Sequence, residues 1–324
     1  MIIPIFIPHE GCPNDCAFCN QRTISGKTAA PDVENVVKTI EEHLFTMDGK
    51  ADQIAFFGGS FTGIDTERQD EYLSVAYKYI KSGNIKSIRL STRPDYITDE
   101  TVKRLKSYGV SNIELGAQSM DEDVLRLSNR GHSVKDVEIA SKIINTQGIT
   151  LGLQMMTGLP GDSEKKCLYT AKRFKELGAK ETRIYPTVVL KGTLLAKMFE
   201  NGEYVPHSVE AAVSISAKLY RFFNENGIEI LRMGLPDSVE LKENYIAGAY
   251  HPSLGEMIVS RDIRNRIEEV SLNGEKIEIL ANRRYLSKII GNKKCNIEYF
   301  QNKGIDIVLT EDNSVNDFKI KVKS

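Results

Sequence analysis

Between residues 3 and 189 the chain repeats one pattern, a short β-rich run followed by a stretch with helical spacing of its apolar residues. The runs are IPIFIP (3–8), QIAFFGG (53–59), SIRLST (87–92), NIELGAQ (112–118), TLGLQMM (150–156) and TRIYPTVV (182–189). Helical segments such as VENVVKTIEEHLFTM and TDETVKRLKSYG lie between them. The second opens on Thr98, carries Thr101 where a full capping box has Glu or Gln, and ends at Gly109. Strands alternating with helices pair in parallel through right-handed crossovers. Six such units predict an α/β fold, a partial (β/α)6 TIM-like barrel. In a barrel, chemistry collects where strands end and loops begin. Each predicted strand does run into a polar or glycine-bearing stretch: HEGCPNDC, GGSFTG, STRPD, GAQS, MMTGLPGD and YPTVVLKGT.

After residue 193 the pattern changes. A long helical region, SVEAAVSISAKLYRFFNENG, leads to the strand-like IEILRMGL and then to AGAYHPSLGEMIVSRDIRNRI. From about residue 274 a small α+β unit reads strand, helix, GNKK, helix, strand, and closes on the strand-like FKIKVK. The expected division is a barrel at 1–205, a helical/β extension covering it at 206–273, and the small unit at 274–324.

Composition narrows the setting. The net charge of −1 over 324 residues gives no global field toward nucleic acid or membrane, so any such surface is local. The apolar runs fall far short of the roughly 20 residues a membrane span needs. MIIPIFIPHEG has no basic n-region and no small-residue cleavage site, so no signal peptide is expected. An odd count of five cysteines, in a chain with ample core, reads as a reduced, cytoplasmic protein whose clustered thiols serve a metal or catalysis.

Three of those cysteines, Cys12, Cys16 and Cys19, share one loop with the spacing C-x3-C-x2-C. A structural zinc site closes with four ligands, commonly on two paired knuckles. Only one knuckle is present, and Cys167 and Cys295 stand alone, read as small buried hydrophobes. His9 completes a Cys3His set in the zinc reading, which stays open. A [4Fe–4S] cluster on three cysteines is the better match, because it leaves one iron free for the amino and carboxylate groups of S-adenosylmethionine. An electron passed to the sulfonium then yields a 5′-deoxyadenosyl radical.

With Phe18 just before its last cysteine, the loop resembles the signature of the radical S-adenosylmethionine superfamily. FFGGSFTG, STRPDYIT, IELGAQS, NRGHS, QMMTGLPGD and RIYPTVVLKGTLLAKMFENGEY follow in the order of the radical domain of the Elongator catalytic subunit and its short bacterial relatives. This resemblance covers about residues 1–205 and implies Cys12, Cys16 and Cys19 as cluster ligands. It puts Gly58, Gly59 and Ser60 at the methionine amino group, Arg93 at the carboxylate and Arg130 as a second cation. It puts Gln118 and Ser119 at the ribose, and Gln154 and Met155 beside the adenine. Ser60 stands where the superfamily has an acid. Lys191 sits where the Elongator relatives have a basic residue, to steer an anionic substrate, and reads equally as a surface lysine. His251 reads equally as facing the active site and as a turn histidine. His132 reads as a satisfied loop histidine. The resemblance stops short of the acetyltransferase domain, so acetyl transfer is not carried over.

EILANRRYLSKIIGNKKCNIEYFQNKGIDIVL (278–309) reads like a KH-type RNA-binding unit, in which a four-residue turn grips the nucleic-acid backbone. RRYLSKIIGNKK carries five Lys or Arg and no acid. The candidate RNA contacts are Arg283, Arg284, Lys288, Gly291, Lys293 and Lys294. Lys294 stands where KH modules want a second glycine, and a solvated basic helix face is the plainer alternative. The expectation is therefore a radical enzyme modifying RNA, with tRNA leading, supplied by an external one-electron reductant and without a membrane partner. Its rivals are a radical enzyme for a porphyrinogen-like metabolite and a non-catalytic, zinc-containing RNA-binding protein.

Overall fold

The computed structural model describes residues 1–7, 12, 16–20, 30–270 and 276–323, so His9 and residues 13–15 lie outside the described residues. The six predicted strands form as β1 (Ile2–Ile7), β2 (Ala51–Gly58), β3 (Ile85–Thr92), β4 (Val110–Gln118), β5 (Thr150–Thr157) and β6 (Glu181–Pro186). Helices follow them: α1 (Val33–Thr46), α2 (Thr66–Lys81), α3 (Asp99–Ser107), α4 (Glu122–Leu127), α5 (Val134–Thr146) and α6 (Glu164–Glu176). Each opens on an Asp, Ser or Thr whose side chain accepts from a first-turn amide; in α3 that cap is Thr98, bonded to the amide of Thr101.

TRIYPTVV does not run as one strand. Pro186 has no N–H to offer a strand beyond it, while the Thr187 amide still bonds the Thr157 carbonyl at the end of β5. The chain resumes as β7 (Val188–Leu190), then passes through α7 (Leu194–Glu200) and α8 (Val209–Glu225) into β8 (Glu229–Met233).

β8 corrects the strand count. It pairs parallel with β6, so the sheet holds seven strands in the order β1-β2-β3-β4-β5-β6-β8, every neighbouring pair parallel. Residues 206–273 therefore supply the barrel's last strand as well as its cover. The seventh strand escapes the six-unit count because EILRM is short and carries charges at both exposed positions.

The strands' two faces differ. Leu90, Ile113, Leu151, Leu153 and Ile184 point outward into one large apolar cluster beneath the helices. The alternate residues, among them Arg89, Glu114, Gln154 and Arg183, hydrogen-bond with one another across the inner face. Alternation along a strand assigns the two sets to opposite faces. Each fully buried Leu or Ile on the outer face contributes roughly 1.5–3 kcal/mol.

Beyond β8 come α9 (Val239–Asn244), β9 (Tyr245–Gly248), which pairs antiparallel with β7, and the long α10 (Leu254–Val270). The small α+β unit follows as β10 (Lys276–Ala281), α11 (Arg283–Ile290), α12 (Cys295–Asn302), β11 (Asp306–Glu311) and β12 (Phe318–Lys323). β10 lies between β11, parallel to it, and β12, antiparallel. Its core joins Ile277, Ile279, Ile289 and Phe300 to Val259, Ile263 and Ile267 of α10. The helix before residue 273 thus completes the unit expected to begin after it.

Candidate active site

The strand ends are built for close approach. Gly58 ends β2 at φ +118°, and a Cβ there would stand 2.5 Å from the Ile7 carbonyl oxygen. Only glycine fits such a position. The Gly59 amide donates to the same Ile7 oxygen at 2.8 Å. Ser60 is fully buried, and its Oγ shares a hydrogen bond with Thr92 Oγ1 at 2.8 Å and accepts from the Arg93 amide at 3.2 Å. These bonds tie the mouth of β2 to that of β3.

Two guanidinium groups lie behind the cysteine loop. Arg130 Nη1 donates to Cys16 Sγ at 3.2 Å and Nη2 to the Gly116 carbonyl at 2.6 Å. Its Nε is buried with no partner among the described residues. Arg93 is 2% exposed; Nε and Nη2 donate to Asp95, and Nη1 donates to the Arg130 carbonyl at 2.9 Å. Cys12 lies close enough to feel both cations. Burial pushes its thiol pKa up, Arg130 and Arg93 pull it down, and the net direction is upward. The loop itself is pinned by the Ala17 amide on the Ser128 carbonyl and the Leu195 amide on the Ala17 carbonyl.

In front of these groups is a cavity of about 480 Å³ at the carboxyl ends of the strands, with Phe18, Cys19, Gly58 and Gln118 on its cysteine side. Its far side carries Tyr185 and Arg183 from β6 and Arg232 from β8. Glu114 stands at its base, accepting from Gln154 Nε2 at 2.9 Å, Arg89 Nη1 at 2.9 Å and Arg183 Nε at 2.5 Å. Burial acts to raise the Glu114 pKa, but the bonds and charge of Arg183, with Gln154 and Arg89, outweigh it and hold the carboxyl below its usual range.

The expected site residues divide into two groups. Phe18, Cys19, Gly58, Gln118 and Gln154 line the cavity. Gln118 does so from a left-handed backbone at φ +66°. Gly59 and Ser60 do not line the cavity and face a separate small pocket under the end of β2, and Ser119 is buried with its Oγ accepting from the Asp121 amide. Met155 is corrected. Its side chain is fully buried in the outer apolar core, and Met156 faces the cavity instead. Gln154 and Met155 are adjacent in one strand, so their side chains cannot share a face.

Lys191 and His251 do not line the cavity. Lys191 Nζ donates to the Glu243 carbonyl at 2.8 Å, and His251 Nδ1 accepts from the Ser253 amide at 3.0 Å, closing a turn before α10. Buried His132 approaches the Ala117 carbonyl with Nε2, while its Nδ1 has no partner among the described residues. Cys167 is buried as expected; Cys295 is exposed, contrary to expectation, because it opens α12 beside the basic turn. In that turn Gly291, Lys293 and Lys294 all have positive φ, and Lys293 and Lys294 are exposed. Arg284 Nη2 donates to the Asn316 carbonyl at 2.6 Å, and both Arg284 and Lys288 lie over the Tyr285 ring. Arg283 heads α11.

Glu114, Arg89, Arg183, Tyr185 and Arg232 were missed by sequence reasoning. Their signal was available: charged residues at alternate positions of NIELGAQ, SIRLST and TRIYP mark a polar inner face.

The residues fit an anionic, iron-bearing group plus a cofactor that carries a carboxylate. Soft thiol donors stand at one strand mouth, and a buried guanidinium nitrogen beside Cys16 lacks a partner among the described residues. Among the described residues no three His, Cys, Asp or Glu side chains already form a metal-holding group. Compared with known families, residues 6–174 match the Radical SAM superfamily and residues 179–265 a Radical_SAM C-terminal domain.

The chain belongs to the Radical SAM superfamily. It is accordingly an enzyme whose cofactors are a [4Fe–4S] cluster and S-adenosylmethionine, which sets the non-catalytic zinc reading aside. Over 209 residues it is 34% identical to an uncharacterized protein of Methanocaldococcus jannaschii, covering 60% of this chain and 63% of that one. Over 157 residues it is 31% identical to a tRNA uridine(34) acetyltransferase of Methanocaldococcus infernus, covering 46% and 29%. The chain thus spans less than two thirds of these relatives' length. The structure of Methanocaldococcus infernus Elp3 lacking residues 1–46 shares the fold with a TM-score of 0.65 at 20% identity, over 83% of this chain and 62% of that one. Among the described residues no helix is long and apolar enough to cross a membrane.

Proposed function

We propose that this radical SAM enzyme modifies RNA, with tRNA as the leading substrate, in the cytoplasm and with an external one-electron reductant. The observation that carries the cofactor assignment is Arg130, which holds Cys16 and the Gly116 carbonyl and whose buried Nε has no partner among the described residues. Cys12, Cys16 and Cys19 would hold the cluster. When bound, the cluster supplies an electron that splits a carbon–sulfur bond of S-adenosylmethionine.

This chain's own residues do the positioning. The charges of Arg130 and Arg93 attract the methionine carboxylate, with Arg130 Nε as its donor. The Gly58–Ser60 turn offers backbone to the amino group. Gln118 and Ser119 lie at the place of the ribose, and Gln154 and Met156 at that of the adenine. Phe18, Phe57 and Leu190 keep water from the reacting atoms.

The RNA assignment is supported by tRNA-modifying relatives and by the exposed basic turn of Lys293 and Lys294, with Arg283, Arg284, Lys288 and Gly291 beside it. The test is 5′-deoxyadenosine release by anaerobically reconstituted, reduced protein with and without total tRNA. Release that rises with tRNA supports both halves of the reading. Release indifferent to tRNA removes RNA as substrate and returns the small, porphyrinogen-like metabolite. No release from cluster-bearing protein removes the proposed chemistry.

A further inference from the structure

The cavity wall farthest from the cysteines has an unexplained charge. Arg183 on β6 and Arg232 on β8 are register partners, two cations placed opposite one another in a parallel pair. Like charges so placed destabilise a sheet. Arg183 is neutralised: Glu114 takes its Nε at 2.5 Å and its Nη2 at 3.1 Å, and its guanidinium stacks on the Phe57 ring 5.1 Å from the centroid. Arg232 has no such partner. Its Nε donates to the Gly234 carbonyl at 3.0 Å, which fixes the fork, and no carboxylate among the described residues forms an ion pair with it.

The rest of that wall is flat and apolar. Tyr185, Leu235 and Pro236 line it, and the Phe57 ring of β2 reaches it under the Arg183 guanidinium. A single oriented cation over an aromatic wall suits a ligand with an anionic group attached to a planar body. Fold packing gains nothing from that cation, and ligand binding does.

We propose that the β6–β8 wall is the subsite for one nucleotide of the substrate RNA, its phosphate on Arg232 and its base against the Phe57–Tyr185 side. This rests on the RNA reading proposed above and adds a specific residue to it. Arg232 is a specificity-determining residue, bonding the phosphate through its two Nη groups, and Arg183 is held by Glu114 as the stacked floor beside it.

The test uses the full chain loaded anaerobically with iron, sulfide and S-adenosylmethionine. Retention of total tRNA is measured against salt for the wild type, Arg232→Gln, Arg232→Lys and, as a charge control outside the cavity, Lys142→Gln. Nucleoside 5′-monophosphates and the matching nucleosides are then used as competitors. Arg232→Gln is expected to weaken retention about tenfold and to flatten the logarithmic salt slope by about 0.7, the value of one single-strand phosphate. Arg232→Lys restores part of that slope and Lys142→Gln changes neither quantity. Monophosphates compete about tenfold better than nucleosides with the wild type, as expected for one charge-assisted contact, and equally with Arg232→Gln. If the wild type retains tRNA and Arg232→Gln matches it in retention and slope, the subsite is overturned while the RNA reading stands. Equal competition by monophosphates and nucleosides in the wild type overturns it too. If the wild type retains no tRNA, the RNA reading falls and takes the subsite with it.

Discussion

Arg130 reaches Cys16 Sγ at 3.2 Å while its own buried Nε finds no hydrogen-bond partner among the described residues. A buried guanidinium with a donor unspent costs on the order of 1–3 kcal/mol, so its persistence implies an anionic partner. Arg130→Met is expected to lower S-adenosylmethionine affinity at least tenfold, the equivalent of roughly 1.4 kcal/mol, while iron content stays unchanged. Equilibrium dialysis on the reconstituted protein measures this. Unaltered affinity would sink the assignment of Arg130 to the carboxylate.

The three loop cysteines differ from the other two in what surrounds them. Cys12 feels Arg130 and Arg93, whereas Cys167 is buried against Asp162 and Cys295 is exposed at a helix start. Replacing Cys12, Cys16 or Cys19 by Ala is expected to reduce bound iron to near background after reconstitution. Cys167→Ala and Cys295→Ala are expected to retain it. Iron and sulfide analysis with the visible absorption spectrum checks both sets, and a full complement of iron in any of the first three variants counts against that ligand.

Glu114 joins the cofactor side of the barrel to its far wall, because one carboxylate takes Gln154, Arg89 and Arg183 together. Removing the charge strands the buried Arg183 guanidinium, while Arg89 keeps its bidentate pair with Glu181. Glu114→Gln is expected to destabilise the chain by about 3–5 kcal/mol in urea unfolding, as breaking a buried ion pair does. A loss below about 1 kcal/mol, the scale of an exposed pair, would mean that water reaches the network.

How much of this was legible follows from what one chain can encode locally. The first five strands and the Thr98 cap are written in neighbouring residues and formed where expected, while the sixth run broke after Pro186. Met155 and Met156 were confused because a motif gives a place along the strand, while the face depends on the register with β4 and β6. The Arg183–Arg232 opposition joins residues in strands not consecutive in the chain, across β7 and two helices, and no local pattern announces it. The apolar stripe of α10 serves two cores at once, which blurred the boundary placed near residue 273.

His132 supplies a pH dependence of defined sign. Burial, then the nearby Arg130 and Arg93, lowers its pKa from 6.5 to about 3, so it is neutral in the fold and protonated in the unfolded chain between those values. The unfolded state binds more protons there, and stability rises with pH across that window. The stability contributed by the neutral ring is present above pH 6.5 and is lost as pH falls toward 3. His132→Gln is expected to remove up to about 1.4 kcal/mol per pH unit from that slope, compared by urea unfolding at several pH values. An unchanged slope would show that His132 stays accessible to protons in the fold.

The basic turn yields the last prediction. Lys293 and Lys294 hold left-handed backbone at φ 51° and 63°, a conformation that lysine adopts at a cost of about 1–3 kcal/mol each. Asn296 pays toward that strain from below: its buried side chain donates to the Ser260 carbonyl, Ser260 Oγ and the Ile289 carbonyl, locking the turn against α10 and the end of α11. A turn held this firmly, with both ammonium groups exposed, presents fixed cations to a phosphate backbone. Changing Arg283, Lys293 and Lys294 together to Ala is expected to cut tRNA retention at least tenfold and to lower the salt slope by about 2, three phosphates at roughly 0.7 each. Thermal stability should hold or rise, since left-handed strain is no worse for Ala and the repulsion among three cations is gone. Full retention by the triple variant would leave the turn a solvated basic face, and RNA would then have to be held by the barrel mouth alone.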